Sequence, residues 1–274
     1  TSRNIQEDYE NENLLFLGTE FGLYITADGG SHWEKFTKNV PPVAIHFIDL
    51  QKQTNDLVLG THGRGIIIIN DISPLREITS EVLKSKLHFF SSKPMKLSDE
   101  SGFAGSFGAE TQFVGENANR SPQIKYLLPK RHTFGKMSME IKNSKGEVVS
   151  KLSPGKSKGI NIVSWSGNIK QPKVAKGKTL AFGGFTTPRV QAGTYTAVIT
   201  KGREVYEHDF EIIYDKRSSL TPEDRKMKHD VISKMYKMTE ELAYMVYQID
   251  AFIEAPETKS KLKSKLNELK KTLV

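Results

Sequence analysis

The chain has 274 residues and a mass of 30.8 kDa, which at roughly 150 residues per domain predicts two domains or more. Apolar residues make up 37% and charged residues 26%, with 14 Phe, 9 Tyr and 2 Trp, so there is material for buried cores. The absence of cysteine excludes disulfides, thiolate metal sites and cysteine nucleophiles. Apolar runs such as Ile66 to Ile69 are far shorter than the roughly 18 residues of a membrane helix, and no span is expected.

The sequence opens Thr-Ser-Arg-Asn, without an initiator Met or a charged-then-apolar leader, which reads as a mature or excised piece. Part of the net charge of +8 falls after Pro256, where Lys259, Lys261, Lys263, Lys265, Lys270 and Lys271 face only Glu257 and Glu268. A solvated basic helix face accounts for that distribution, and nucleic acid is not expected as a partner.

An internal repeat dominates the first 80 residues. Leu15-Phe-Leu-Gly18-Thr19-Glu20-Phe-Gly22-Leu23-Tyr24-Ile25 returns as Leu57-Val-Leu-Gly60-Thr61-His62-Gly63-Arg64-Gly65-Ile66-Ile67, with Gly18 and Gly60 separated by 42 residues. Each copy reads as strand, glycine-containing turn, strand, and the period is that of a four-stranded propeller blade. Gly18 and Gly60 are expected to mark close approach of backbone rather than chemistry. After Pro41-Pro42, Val43 to Leu50 predicts the strand that enters the second copy.

Thr26, Asp28, Gly30 and Trp33 follow the first copy. Their spacing resembles the Asp-box, or bacterial neuraminidase repeat, with His32 standing where a Thr is commonest. In physical terms the carboxylate accepts backbone N–H groups, glycine takes a positive φ and Trp packs under the turn. Residues 5 to 80, through Asn70-Asp71-Ile72-Ser73-Pro74, resemble the last blades of bacterial sortilin-like, glycosyl-hydrolase-like propeller proteins. The resemblance implies that residues 1–80 are the C-terminal blades of an incomplete propeller. Its remaining blades would then be partners, in the same polypeptide or a companion fragment.

From Leu87 to about Tyr214 the pattern predicts short strands: Leu87 to Phe90, Gln123 to Leu128, Lys136 to Lys142, Gly146 to Leu152, Gly159 to Trp165, Gly193 to Lys201 and Glu204 to Ile213. Met137, Met139 and Ile141 share one face, as do Tyr195, Ala197 and Ile199. Ile162 to Trp165, Ala192 to Thr196 and the run closing at Ile213 resemble bacterial immunoglobulin-like modules. Residues 81–216 are thus expected to be an immunoglobulin-like sandwich with a long loop, 166–192, that includes Phe182-Gly183-Gly184-Phe185.

Residues 217–274 predict a helical hairpin, closing a chain that is otherwise expected to be mainly β. Thr221-Pro222-Glu223-Asp224 supplies a cap, a proline at the first helical position and first-turn acids. Met227, Val231, Met235, Met238, Leu242, Met245, Ile249 and Phe252 then form one apolar stripe, and Leu262, Leu266, Leu269 and Leu273 a shorter one. The longer stripe is expected to pack in a core, an adaptable methionine-rich partner surface being the alternative.

Chemistry is sparse. Glycoside hydrolysis, which some Asp-box propellers perform, requires paired carboxylates on one sugar; the candidates are Glu20, Asp49 and Asp71, with Arg64, His46 and His62 nearby. Glu20 and His62 occupy equivalent turn positions and Arg64 sits between Gly63 and Gly65, so Glu20, His62 and Arg64 are the predicted ligand-binding residues, with no catalytic residue assigned; the alternatives are turn capping by Glu20 and His62 and, for Arg64, pairing with an acid of a neighbouring blade. No metal-ligand spacing or cofactor motif is present. Gly102 to Gly108 lacks the Lys-Ser/Thr ending of a phosphate loop, and Asn119-Arg-Ser121 matches a glycosylation sequon weakly. The expected function is glycan or protein binding by a secreted, outer-membrane-surface or periplasmic bacterial protein. The alternative is a glycoside hydrolase whose catalytic residues lie mainly in the missing blades.

Overall fold

The computed structural model describes residues 1–97, 121–175, 187–215 and 218–273. The Gly102 to Gly108 loop, most of the sequon and the Phe182 to Phe185 stretch lie outside them. The described residues form a mixed α/β architecture of several mainly antiparallel sheets with two helices at the C-terminus. The chain divides into two compact units, one of Thr1–Ser91, Lys125–His132 and Lys156–Asn161, the other of Ser92–Ile124, Thr133–Gly155 and Ile162–Val274.

The first unit opens with β1 (Ser2–Glu7), β2 (Leu15–Thr19), β3 (Gly22–Thr26) and β4 (Glu34–Phe36), an antiparallel meander in that spatial order. A second sheet follows, of β5 (Ile45–Gln51), β6 (Asp56–Thr61) and β7 (Ile66–Ile69). The two sheets repeat one register. Gly18 pairs with Asn4 and Leu23 just as Gly60 pairs with Phe47 and Ile66. Even the irregularity recurs, between Ser2 and Asn4 in one and between Ile45 and Phe47 in the other.

Burial does not repeat. In β2, Phe16 and Gly18 are buried and Leu15 and Leu17 are half-exposed; in β6 the equivalents of the latter, Leu57 and Leu59, are buried, while Val58 and Gly60 are not. Alternate residues of a strand point to opposite faces, so the sheets bury opposite faces of one pattern. Phe16 and Leu23 from the first sheet, with Ile45, Ile48, Leu57 and Leu59 from the second, make a single core. Gly18 earns its place by sterics: a Cβ there would lie 2.7 Å from the Ile45 carbonyl oxygen. Two short helices, α1 (Ser73–Arg76) and α2 (Ser80–Lys84), and β8 (His88–Phe89) follow. The Thr79 side chain caps α2 by accepting from the Val82 N–H.

The remaining strands are β9 (Met95–Leu97), β10 (Gln123–Leu128), β11 (Met137–Asn143), β12 (Val148–Leu152), β13 (Gly159–Ser164), β14 (Gly193–Lys201) and β15 (Glu204–Tyr214). A five-stranded sheet runs β12-β11-β14-β15-β9, with β9 parallel to β15, and a three-stranded sheet runs β13-β10-β8. The period-2 alternation is realised: Met137, Met139 and Ile141 are buried together, and so are Tyr195, Ala197 and Ile199. In the second unit Trp165 meets Tyr195 and Phe210 edge-on at centroid distances of 5.8 and 6.2 Å. Gly167 takes φ 74°, and a Cβ there would fall 2.7 Å from the Leu97 Cδ1 methyl, which would have to shift.

Helix α3 (Pro222–Glu254) begins with a capping box in which Thr221 accepts from the Asp224 N–H and Asp224 accepts from that of Thr221. Helix α4 (Ser260–Leu273) packs on it, and Lys270 Nζ lies 2.5 Å from Asp250 Oδ1. The long stripe departs from the core-packed expectation. Val246 and Ile249 are buried, but Met227 and Met238 are 68% and 57% exposed, and Met235, Met245 and Phe252 are exposed too. Length accounts for the N-terminal part of the stripe, Met227 to Met238, since 14 residues of α4 rise only about 21 Å against about 50 Å for the 33 of α3; Met245 and Phe252 are exposed although they lie nearer the end that α4 joins.

Candidate functional site

The turn after β3 is held as its residue types require. Thr26, buried, donates its hydroxyl to Asp28 Oδ1 at 2.7 Å and accepts from the Gly30 N–H at 3.0 Å. Asp28 Oδ1 also accepts the His32 N–H at 2.9 Å, and its Oδ2 lies 2.7 Å from His32 Nδ1. Gly29 and Gly30 take φ of 68° and 95°, and a Cβ on Gly30 would fall 3.7 Å from the Trp33 ring. The bonds from Thr26, then those from His32, hold the Asp28 carboxyl well below the usual carboxylate range. The Thr26 and Asp28 side chains bond within the loop and the Gly29 N–H donates to the Asn13 carbonyl, so the chemistry of these groups is that of a folded turn.

The hairpin turns carry the predicted ligand residues. Thr19 donates its hydroxyl to the Gly22 carbonyl at 2.9 Å and Thr61 to the Gly65 carbonyl at 2.6 Å, so one cap closes both hairpins although the second turn is a residue longer. Glu20 accepts from Arg3, through Nε at 2.6 Å and also through Nη2. His62 is exposed, donates its backbone N–H to the Ala44 carbonyl at 2.9 Å and stacks on His46 with ring centroids 5.5 Å apart. Arg64 is exposed between Gly63 at φ 80° and Gly65 at φ 66°, and meets no carboxylate among the described residues.

Glu20 is thus engaged by Arg3, while His62 and Arg64 sit together on one open turn. The other acids weighed from the sequence are engaged as well. Asp49 Oδ1 accepts the Leu50 N–H at 2.8 Å. Asp71 pairs with Lys125 and accepts from the Ser73 hydroxyl at 2.6 Å. Burial pushes the Asp71 carboxyl up, but the bonds from Lys125 and Ser73 outweigh it and the net shift is downward.

One network had no sequence signal. Asp8, buried, accepts two bonds from Arg76 at 2.8 Å each, in the fork geometry suited to a guanidinium. The remaining Arg76 nitrogen lies 2.7 Å from Glu10 and 3.1 Å from Asn55 Oδ1, and the guanidinium sits 4.7 Å over the Tyr9 ring. Burial works against the Arg76 charge, yet Asp8 and its neighbours raise its affinity for the proton. With Asp8 also accepting the backbone N–H groups of Glu10 and Asn11, the network is internally satisfied and fastens the β1–β2 loop to α1. Its partners lie 68 residues apart, a distance over which no local motif reports.

Two open grooves of about 610 and 630 Å³ lie along α3, one against α4 and one against Lys173 to Ala175. Among the described residues no group of three or more His, Asp or Glu is placed to hold a metal ion, and no helix is long and apolar enough to cross a membrane.

The class defined by these features is a mixed α/β chain whose first unit repeats one antiparallel sheet pattern. No family model matches the sequence. No curated protein matches it either. Among solved structures it is similar to PorZ, described as an essential bacterial surface component of the type-IX secretion system of Porphyromonas gingivalis. The identity is 18% over 78% of this chain, with a TM-score of 0.25, and the chain spans 23% of PorZ's length. So loose an overlap leaves fold and function to be argued from the chain itself.

Proposed function

We propose that this chain is part of a secreted or surface-exposed bacterial Asp-box β-propeller protein that binds a glycan or protein ligand. In this reading β1–β4 and β5–β7 are its C-terminal blades, residues 81–216 an immunoglobulin-like module and residues 217–274 a helical appendage, with the other blades as partners. The repeated register, including the irregularity before Asn4 and before Phe47, carries the propeller part. The internally bonded Thr26-Asp28-Gly30-Trp33 turn supports the Asp-box. Trp165 against Tyr195 and Phe210, with the Tyr195 hydroxyl donating to the Gln191 carbonyl four residues upstream, supports the immunoglobulin-like part.

Binding is favoured over hydrolysis because Glu20, Asp49 and Asp71 are each engaged in a structural bond. The ligand groups are His62 and the open Arg64, whose fork suits a carboxylate or vicinal hydroxyls, with Glu20 at the equivalent turn. The test is Arg64→Ala and Glu20→Gln in the full chain, screened on a glycan array and by thermal melting. Loss of binding at unchanged Tm is expected for Arg64→Ala; unchanged binding, or lost stability with binding retained, would remove the site.

A further inference from the structure

Helix α3 leaves an apolar seam open along its length. Val231, Met238, Met245 and Phe252 recur at every seventh residue, and all four are exposed. Met235 and Leu242 fall between them at steps of 4 and 3, so the pattern is a heptad one from Val231 to Phe252. A period of 3.5 residues is what a partner helix requires, because side chains so spaced return to one seam along a supercoiled pair. At on the order of 100 Å² each, the exposed seam residues together with Met227 offer roughly 600 Å², near the roughly 800 Å² that one partner gives to a standard interface.

Among the described residues the one other helix longer than five residues is α4. The Lys270–Asp250 contact sets α4 antiparallel to α3, so α4 ends at Leu273 about level with Tyr247 and reaches no further along the seam.

The flank of the seam identifies its partner. Lys234 and Glu241 stand immediately before Met235 and Leu242, both exposed and neither with a charged partner among the described residues. Two copies of α3 laid antiparallel, with Met235 on Met238 and Val231 on Leu242, bring Lys234 of each copy against Glu241 of the other. Sliding the copies to the next layer sets Glu241 against Glu241 in one direction and Lys234 against Lys234 in the other. Parallel copies would turn both charges toward uncharged residues, Thr239 and Val246. Lys228, the one charged residue on the seam, comes at its end, where its stem lies on Met245 of the other copy and its ammonium reaches water.

We propose that α3 is a dimerisation helix. Two copies of the chain associate antiparallel through Val231, Met235, Met238, Leu242 and Met245, held in register by reciprocal Lys234–Glu241 pairs. The same patch serves on both copies, so the assembly is isologous and closes at two. In the dilute single chain the seam faces water, and substitutions there change association without changing the folding of the monomer.

Sedimentation equilibrium of the full chain is expected to show monomer at about 1 μM and dimer at about 200 μM. Lys234→Glu and Glu241→Lys each set two like-charge pairs across the seam and are expected to weaken the dimer by about tenfold, and the two combined to restore it. Met235→Ser with Met238→Ser is expected to abolish the dimer while the Tm at 1 μM stays unchanged. Because the chain has no cysteine, Met245→Cys and Phe252→Cys each accept a single spin label. The antiparallel register places paired labels about 25 Å apart at position 245 and about 45 Å apart at position 252, whereas parallel helices would hold both pairs at about 10 Å. A chain still monomeric at 200 μM, association that continues past two, equal label distances at the two positions, or a double charge swap that fails to restore the dimer would each overturn the proposal. So would a monomer that binds phosphatidylglycerol vesicles and loses them with Met235→Ser and Met238→Ser, since lipid would then be the occupant of the seam.

Discussion

The two-sheet stack of β1–β7 and the helical hairpin of α3 and α4 both announce an apolar face in the sequence, yet they use it differently. In the stack Phe16, Leu23, Ile45, Leu57 and Leu59 are fully buried, and the buried fork of Arg76 on Asp8 ties the loop at one end to the helix at the other. In the hairpin most of the methionine stripe faces water, and the cross-helix pair, Lys270 with Asp250, is itself partly exposed. Periodicity reports that a face is apolar; it does not report what is long enough to cover it. The two sheets cover each other across one shared core, whereas α4 is less than half as long as α3.

The sharpest way to break this contrast is at its ion pairs and cores. Asp8→Ala leaves a buried guanidinium without its fork partner and is expected to cost about 3–5 kcal/mol in urea unfolding. Phe16→Ala, opening a cavity between the sheets, is expected to cost about 3–5 kcal/mol as well. If either were as mild as a surface change, the stack would not be the rigid half of the comparison.

Smaller effects are expected at the Asp-box turn and in its acid response. Thr26→Val removes the hydroxyl that joins Asp28 and the Gly30 N–H, at a cost of about 1–3 kcal/mol, measurable by the same unfolding curves. Asp71 has a folded pKa below its ordinary 3.8, so its contribution is present above that value and is lost as pH falls through the lowered one. Stability followed from about pH 5 to pH 2 should therefore decline less steeply in Asp71→Asn than in the parent.

The hairpin predicts the smallest changes. Met238→Ser is expected to stay within about 0.5 kcal/mol of the parent, and Lys270→Ala to cost about 1 kcal/mol or less, diminishing with added salt. A loss of several kcal/mol at Met238 would mean that the stripe is packed, and the comparison would collapse.

Much of this molecule was legible in its residues. The strand runs Gln123 to Leu128 and Gly193 to Lys201 match the observed limits. Thr221, Pro222 and Asp224 announced the start of α3, because caps and period-2 alternation are local physics. The turn at Thr26 to Trp33 was equally readable, since its partners lie within four residues of one another. β1 and β4 escaped notice because Ser2 to Glu7 and Glu34 to Phe36 are polar, and their strand character comes from pairing with β2 and β3.

What the sequence determined by itself was that one hairpin pattern occurs twice, with glycines at Gly18 and Gly60 and a threonine cap after each. What only the tertiary structure decided was which face of each copy is buried. Leu15-Phe-Leu-Gly and Leu57-Val-Leu-Gly are nearly the same string, and each offers apolar residues on both sides of the strand. Burial then follows from the neighbour: Phe16 and Gly18 lie against the second sheet, Leu57 and Leu59 against the first. The choice belongs to the stacking of one sheet on another, an interaction between residues as far apart in the chain as Gly18 and Ile45 that no local period encodes.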